Sequence, residues 1–146
     1  MKKKNPKKKK DPKKELKKQA DHLWHQAVIE KYGNRCFFIN SSKKAKNCLG
    51  TTQICHHIKK KSGYAHLRYH IKNGVPVCWP CHFKLENYDL SMTVDIVLKR
   101  GKKWYSELEE KAKEKQKSSY KTIEYYKDNI KRLERFIINN KKNYDK

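Results

Sequence analysis

Apolar positions recur at three- and four-residue steps from about Leu16 to Tyr32, through Leu16, Ala20, Leu23, Trp24, Ala27, Val28 and Tyr32. That period predicts an amphipathic helix, and Gly33 follows it as a C-terminal cap. Trp24 lies on the apolar stripe and is expected in the core. His22 and His25 have no partner at ligand spacing and are expected on the wet face. The helical period is then lost. Residues 34–58 read as a short hairpin region that Cys36 opens, the polar insert Asn40–Asn47 interrupts and Cys48 closes. Thr51–Ile58 contains β-branched residues and no breaker, which predicts a strand. Lys59–Gly63 is a basic loop, Asn73-Gly74 a turn signal and Val75–Cys78 a second short strand. Pro80 stands where a helix begins, so a helix is expected over Cys81–Asn87 with His82 in its first turn. The order is strand, loop, strand, helix.

Further along, Ser91 is the expected N-cap of a helix Met92–Lys99 with Val94, Val97 and Leu98 turned inward, and Gly101 breaks it. Trp104–Lys117 carries Glu107/Lys111 and Glu109/Lys113 at i,i+4 spacing. Ser118-Ser119 starts a last helix in which Ile123, Tyr126, Ile130, Leu133 and Ile137 step by three and four. This stripe is too short to define a coiled coil. Packing back on the core or on the preceding helix is the better expectation, and a dimer through this C-terminal helix is the other one.

Composition changes the picture in two ways. The chain has 146 residues, enough for one domain with extensions, yet only 36% are hydrophobic and the mean hydropathy is −1.16. A large apolar core is out of reach, so something else must staple the fold. The net charge of +23 calls for a polyanionic partner, and DNA is the expected one. Lysine carries nearly all of it, since arginine occurs only at 35, 68, 100, 132 and 135. Residues 1–18 form a lysine run broken by Pro6 and Pro12, expected to be a disordered basic arm. No apolar run resembles a secretory signal or a membrane span, which predicts a cytoplasmic protein without a membrane partner. In that compartment clustered cysteines point to metal or catalysis rather than disulfides.

The candidate chemistry lies between Cys55 and His82. It reads Cys55-His56-His57-Ile58, then Asn73-Gly74-Val75-Pro76-Val77-Cys78, then Trp79-Pro80-Cys81-His82. One ligand set is sulfur and the other is nitrogen, the side chains that bind transition metals well. All five cysteines, Cys36, Cys48, Cys55, Cys78 and Cys81, fall in one window of the chain.

This stretch resembles the HNH nuclease family, the ββα-metal fold. Within that family it is most similar to phage recombination proteins of the lambda NinG type. The likeness covers roughly Ala20–Tyr105, including Leu67–Val75 ahead of Cys78 and Arg100–Tyr105 after it. It implies an α+β fold with a small ββα core stapled by a zinc knuckle and flanked by an N-terminal helix and C-terminal helices. Residues 19–101 would form the nuclease domain with its leading helix, and 102–146 a helical extension. The activity implied is a metal-dependent DNA endonuclease or nickase, encoded by a phage or mobile element and present in the host cytoplasm.

By the same resemblance, His57 is the general base on the attacking water and Asn73 the residue that hydrogen-bonds to hold that imidazole. His56 and His82 hold one catalytic divalent ion (Mn, Mg, Ni or Zn), and Cys78 and Cys81 form half of a structural zinc site. An imidazole with an ordinary pKa near 6.5 suits the base. Adjacent strand residues face opposite ways, so His56 and His57 need different tasks and a site near the strand's rim. His56 stands where many relatives have Asp, which makes the ion site less anionic. Cys36 and Cys48, with eleven residues between them, are the preferred second half of the zinc site, with Cys55 as the alternative ligand. A competing assignment makes His82 a zinc ligand with Cys36, Cys78 and Cys81. Lys59, Lys60, Lys61, Arg68 and Lys84 are the expected nucleic-acid contacts, although Arg68 also suits a core carboxylate. The alternative function is a non-catalytic, zinc-stapled nucleic-acid-binding protein.

Overall fold

The computed structural model describes residues 10–87, 89–114 and 118–144. Among them the fold is α+β, with helices α1 (Pro12–Tyr32), α2 (Trp79–Glu86), α3 (Leu90–Arg100), α4 (Lys102–Ala112) and α5 (Ile123–Tyr144). One antiparallel sheet pairs β1 (Ile54–His57) with β2 (Gly74–Val77). None of these helices is long and apolar enough to cross a membrane.

The N-terminal helix starts earlier than its apolar stripe. The Asp11 carboxylate accepts from the Lys13 amide at 3.0 Å, and Pro12 stands at a position where its missing N–H costs nothing. The expected disorder of 1–18 is therefore corrected over its last residues, which are helical because a cap outweighs the repulsion among lysines that all reach solvent. Residues 1–9 lie outside the described residues. The helix ends at Gly33, whose φ of +89° suits glycine and whose amide donates to the Ile29 carbonyl at 2.7 Å.

The first strand is shorter than the Thr51–Ile58 that the pattern predicted, and the second has the expected four residues but begins one residue earlier, at Gly74. The register pairs Ile54 with Val77, Cys55 with Pro76, His56 with Val75 and His57 with Gly74. Directly opposed residues share a face. Val75 and Val77, with Ile54, pack into a core with Cys36, Phe38, Leu67, Met92, Ile96, Trp104 and Leu108. Cys55 belongs to a second core with Ala20, Trp24, Ala27, Val28, Tyr69, Tyr126, Ile130 and Leu133. The hairpin is thus a partition between two small cores.

The later helices depart from expectation in instructive ways. Asp89, not Ser91, caps α3, its carboxylate accepting from the Ser91 amide at 3.1 Å. Met92 and Ile96 are buried, while Val94 and Leu98 are 55% and 71% exposed. The inward face was misjudged because those two look as apolar as the pair that packs. In α4, Glu107 and Glu109 form ion pairs with Lys72 and Lys59 from the hairpin side. The tertiary contact replaces the local i,i+4 pairs. A 3₁₀ turn occupies Ser118–Lys121, and α5 starts after it, where Thr122 Oγ1 accepts from the Tyr125 amide at 3.2 Å. Its stripe packs on α1, through Tyr126, Ile130 and Leu133.

Gly74 lets α1 close on the hairpin. A Cβ there would sit 2.4 Å from Val28 Cγ2 and 2.9 Å from Trp24 Cζ2. Its carbonyl accepts from Arg100 Nη1 at 2.7 Å, so the strand cannot retreat without breaking that bond. Gly74→Ala is predicted to cost about 1–3 kcal/mol, the usual penalty of overpacking. Urea unfolding measures it, and an unchanged midpoint would mean that α1 slides freely over the hairpin.

Two candidate metal centres and the cleft beside them

The sulfur set is brought together as preferred. The Sγ atoms of Cys36, Cys48, Cys78 and Cys81 all lie within 4.8 Å of one another. Cys78 caps the N-terminus of α2 and Cys81 sits in its first turn. The other two come from the 34–52 segment, which returns on itself through turns closed by Ile39 N to Cys36 O at 3.0 Å, Ser41 N to Phe38 O at 2.9 Å and Cys48 N to Ala45 O at 3.0 Å. These turns shorten the eleven-residue interval to a single edge of the cluster. Tetrahedral zinc with bonds of about 2.3 Å needs sulfur–sulfur edges of about 3.8 Å, and Cys78 Sγ lies 3.7 Å from Cys48 Sγ. The Ala45 amide donates to Cys81 Sγ at 3.4 Å. Burial pushes the Cys36 thiol up to about 11 and raises Cys81 as well. For Cys78, burial is outweighed by amide hydrogen bonds from Leu49 and Cys81 and by the neighbouring thiols, which bring it down to about 7. Four cysteines so placed can hold a metal such as zinc.

Cys55 is not part of this group. It lies on the other face of β1, its Sγ contacts the His25 carbonyl at 3.7 Å, and burial pushes its thiol up to about 12. The alternative with Cys55 as ligand is thereby corrected by the pleat itself, which turns Cys55 towards α1. His82 does not join the sulfurs either.

The nitrogen set contains a third member that sequence reading missed. His56, His82 and Glu86 form a second group with potential ligand atoms within 4.8 Å of one another. Glu86 Oε1 is 3.3 Å from His56 Nδ1 and 3.6 Å from His82 Nε2. Glu86 is one helical turn after His82, and that i,i+4 interval was the available signal. The site is therefore not short of a carboxylate as the His at position 56 had suggested. His82 Nδ1 is buried without a hydrogen-bond partner, and buried His56 Nδ1 has only the ion-pair contact with Glu86. Burial first, then the His82 ring, lowers His56 to about 4; burial likewise lowers His82. Both rings are held as neutral donors, the form a cation binds.

His57, on the opposite face, stacks on the Trp24 indole at 3.9 Å between centroids and 12° between planes. Its Nε2 lies 2.9 Å from the Arg68 carbonyl oxygen. A carbonyl only accepts, so Nε2 carries the proton and Nδ1 of the neutral ring carries the lone pair. Burial lowers the pKa of His57 to about 3, so the ordinary value near 6.5 expected for a base is corrected: in this packing the ring is neutral but a weak proton acceptor. Trp24 is in the core as expected, and it also positions this ring. Its own Nε1 donates to the His70 carbonyl at 3.1 Å.

Asn73 does not hold the imidazole. It is fully buried; Oδ1 accepts from the Lys59 amide at 2.7 Å, and Nδ2 donates to the carbonyls of Lys59 at 3.1 Å and Leu67 at 3.2 Å. The expected contact with His57 is corrected: Asn73 pins both ends of the loop between β1 and the Ala65–Leu67 turn. That loop ends beside the Arg68 carbonyl, so the effect on His57 is indirect.

A cleft of about 600 Å³ is lined by Trp24, His25, Cys55, His57, His82 and Glu86, together with Asp21, Lys60, Lys61 and Arg68. The basic residues expected to meet nucleic acid divide sharply. Lys60 and Lys61 are exposed. Lys59 is committed to Glu109. Lys84 Nζ donates to the Lys43 carbonyl at 2.8 Å and lies 3.5 Å from Asp89. The Arg68 guanidinium grips Asp21 through Nε to Oδ1 and Nη2 to Oδ2, both at 2.9 Å, so the core carboxylate wins over phosphate. His66 meets the Lys111 carbonyl at 2.9 Å and takes no part in either centre.

Asn73→Ala removes three hydrogen bonds from a buried loop. The expected cost is at least roughly 1–3 kcal/mol, because the Lys59 amide and carbonyl lose their partner out of reach of water. Chemical unfolding checks the size, and faster exchange of the Lys59 amide checks the place. Unchanged exchange would remove the clamp. Comparisons of the chain with protein-family models, with curated proteins and with solved structures return no match.

Proposed function

We propose that this chain is a metal-dependent endonuclease or nickase of the HNH type, which hydrolyses phosphodiester bonds in DNA and is encoded by a phage or mobile element. One observation carries the reading: the cleft holding a neutral imidazole fixed through Nε2, that of His57, is also bordered by His82 and Glu86 of the nitrogen centre. His57 Nδ1 accepts the proton of the attacking water. The Arg68 carbonyl fixes the tautomer, and Trp24 fixes the ring plane. His56, His82 and Glu86 would hold a divalent ion, which when bound would supply positive charge to the phosphate during hydrolysis. With one carboxylate and two imidazoles, the donor set suits Mn, Ni or Zn and still admits Mg. Zinc on the four cysteines is the staple that a weakly apolar chain needs.

The second reading, a zinc-stapled nucleic-acid binder without catalysis, is favoured by the packing of His57 against Trp24, which suits a core histidine equally well. Plasmid nicking with added Mn²⁺, Mg²⁺ or Ni²⁺ separates the two. His57→Ala is expected to retain metal and DNA binding while turnover falls by a factor on the order of 10²–10⁴, the usual worth of general acid–base catalysis. His56→Ala and Glu86→Gln are expected to raise the metal concentration needed, with activity partly restored at high Mn²⁺. Wild-type activity in all three variants excludes the nuclease reading.

The staple is tested separately. Metal analysis of the folded protein is expected to find one tightly held zinc, and Cys78→Ser is expected to give molten or insoluble protein. Folded wild type without zinc defeats this assignment and leaves the nicking assay untouched.

A further inference from the structure

A second cleft, of about 410 Å³, opens beside the first and is lined by lysines at positions 13, 17, 61 and 121, with Ser62, Ala65, Arg68, Tyr120 and Tyr126. Lys13 and Lys17 are one turn apart on α1, a placement that exists because the Asp11 cap starts the helix at Pro12. Lys61 comes from the loop after β1, and Lys121 from the turn before α5. No aspartate or glutamate lines the cleft. Six lysines outside the cleft meet a carboxylate: Lys18 with Glu15, Lys59 with Glu109, Lys72 with Glu107, Lys84 with Asp89, Lys99 with Asp95 and Lys113 with Glu110. Among the described residues, Lys13, Lys17, Lys61 and Lys121 have no such ion pair. Like charges converging on a concave surface repel one another, and the potential they create favours an anion there.

The two clefts share Lys61, Ser62 and Arg68. An anion in the second cleft is therefore continuous with whatever occupies the first. Arg68 adds little attraction of its own, since Asp21 neutralises it.

We propose that the cleft of Lys13, Lys17, Lys61 and Lys121 is a phosphate-backbone groove that receives the nucleic-acid strand on one side of the bond to be cut. The inference rests on the nuclease reading for the words "bond to be cut", and on geometry and charge alone for the groove. It assigns part of the basic N-terminal segment to an ordered helical surface of the binding site. Three of the four lysines lie outside the HNH-like hairpin region and come from α1 and the approach to α5.

The test is DNA binding by fluorescence anisotropy over a range of salt concentrations, without added divalent ion, so that cleavage does not enter. The triple variant Lys13→Ala/Lys17→Ala/Lys121→Ala is compared with a charge-matched control, Lys127→Ala/Lys131→Ala/Lys141→Ala, on the exposed face of α5. For a labelled duplex the groove variant is expected to reduce the slope of log affinity against log salt by about 2–3, because each lost phosphate contact removes roughly 0.9. The control is expected to keep the wild-type slope. Circular dichroism checks that both variants fold. Equal slopes for the groove variant and wild type overturn the proposal. Equal losses in groove and control variants also overturn it, since net charge then suffices. Binding to anionic lipid vesicles that depends on the same lysines, without DNA binding, would reassign the groove to a membrane surface and overturn it too. If the groove variant behaves as expected while wild type nicks no plasmid, the groove stands and the nuclease reading falls.

Discussion

The convergence of four cysteine sulfurs is the constraint on which the rest of this small fold depends. The 34–52 segment has no helix or strand of its own beyond an isolated bridge between Arg35 and Thr51. Its buried anchors are few: Cys36, Phe38, Ser41 and Ala45. Without a cation, burial holds the thiols of Cys36 and Cys81 in their neutral form. A soft cation reverses that balance by stabilising the thiolates. Because Cys78 caps α2 and Cys81 lies in its first turn, a cation on the four sulfurs would also orient the helix that carries His82 and Glu86. The sulfur and nitrogen sets share that helix.

The hairpin adds the second constraint. A two-residue period sends His56 towards α2 and His57 towards α1, so neighbouring histidines acquire different surroundings. One lies beside an imidazole and a carboxylate, the other beneath an indole. Gly74, directly opposite His57, is the only residue type that admits Trp24 at this distance. A single missing Cβ thus sets the plane against which the ring stacks. Arg100 holds Gly74 from behind through its carbonyl, which ties α3 to the same point.

Much of this was legible in the sequence, for reasons that can be named. The ligand spacing and the helical stripes encode local geometry, and local geometry survives into the fold. The order strand, strand, helix and the four-sulfur group followed from it. The Asn73-Gly74 turn signal does not survive, since Asn73 ends a 3₁₀ turn and Gly74 is already extended in β2. What else failed depended on distant partners. Asn73 was matched to the right place but the wrong contact, because its loop closes on itself rather than on His57. Arg68 and Lys59 looked like phosphate ligands until Asp21 and Glu109, 47 and 50 residues away in the chain, met them. Glu86 was missed although it stands one turn from His82, since a lone glutamate at a helix end carries no motif. Val94 and Leu98 were placed inward because hydropathy alone cannot phase a short helix.

The charge shows most clearly why a total is a poor guide to a site. A net +23 gives every lysine the same claim on a polyanion. The fold grades those claims by where its few carboxylates fall. Glu107 and Glu109 reach from α4 to lysines of the hairpin side, and Asp89 at the start of α3 reaches back to Lys84 of α2. These pairs turn lysines into structural links between elements too small to hold one another by apolar contact. Acidic residues are scarce, so spending them there leaves other surfaces uncompensated, and the longest-range field belongs to the place where the uncompensated charges converge. Among the described residues, the placement of the few carboxylates, more than the abundance of lysines, sets where positive charge is left uncompensated.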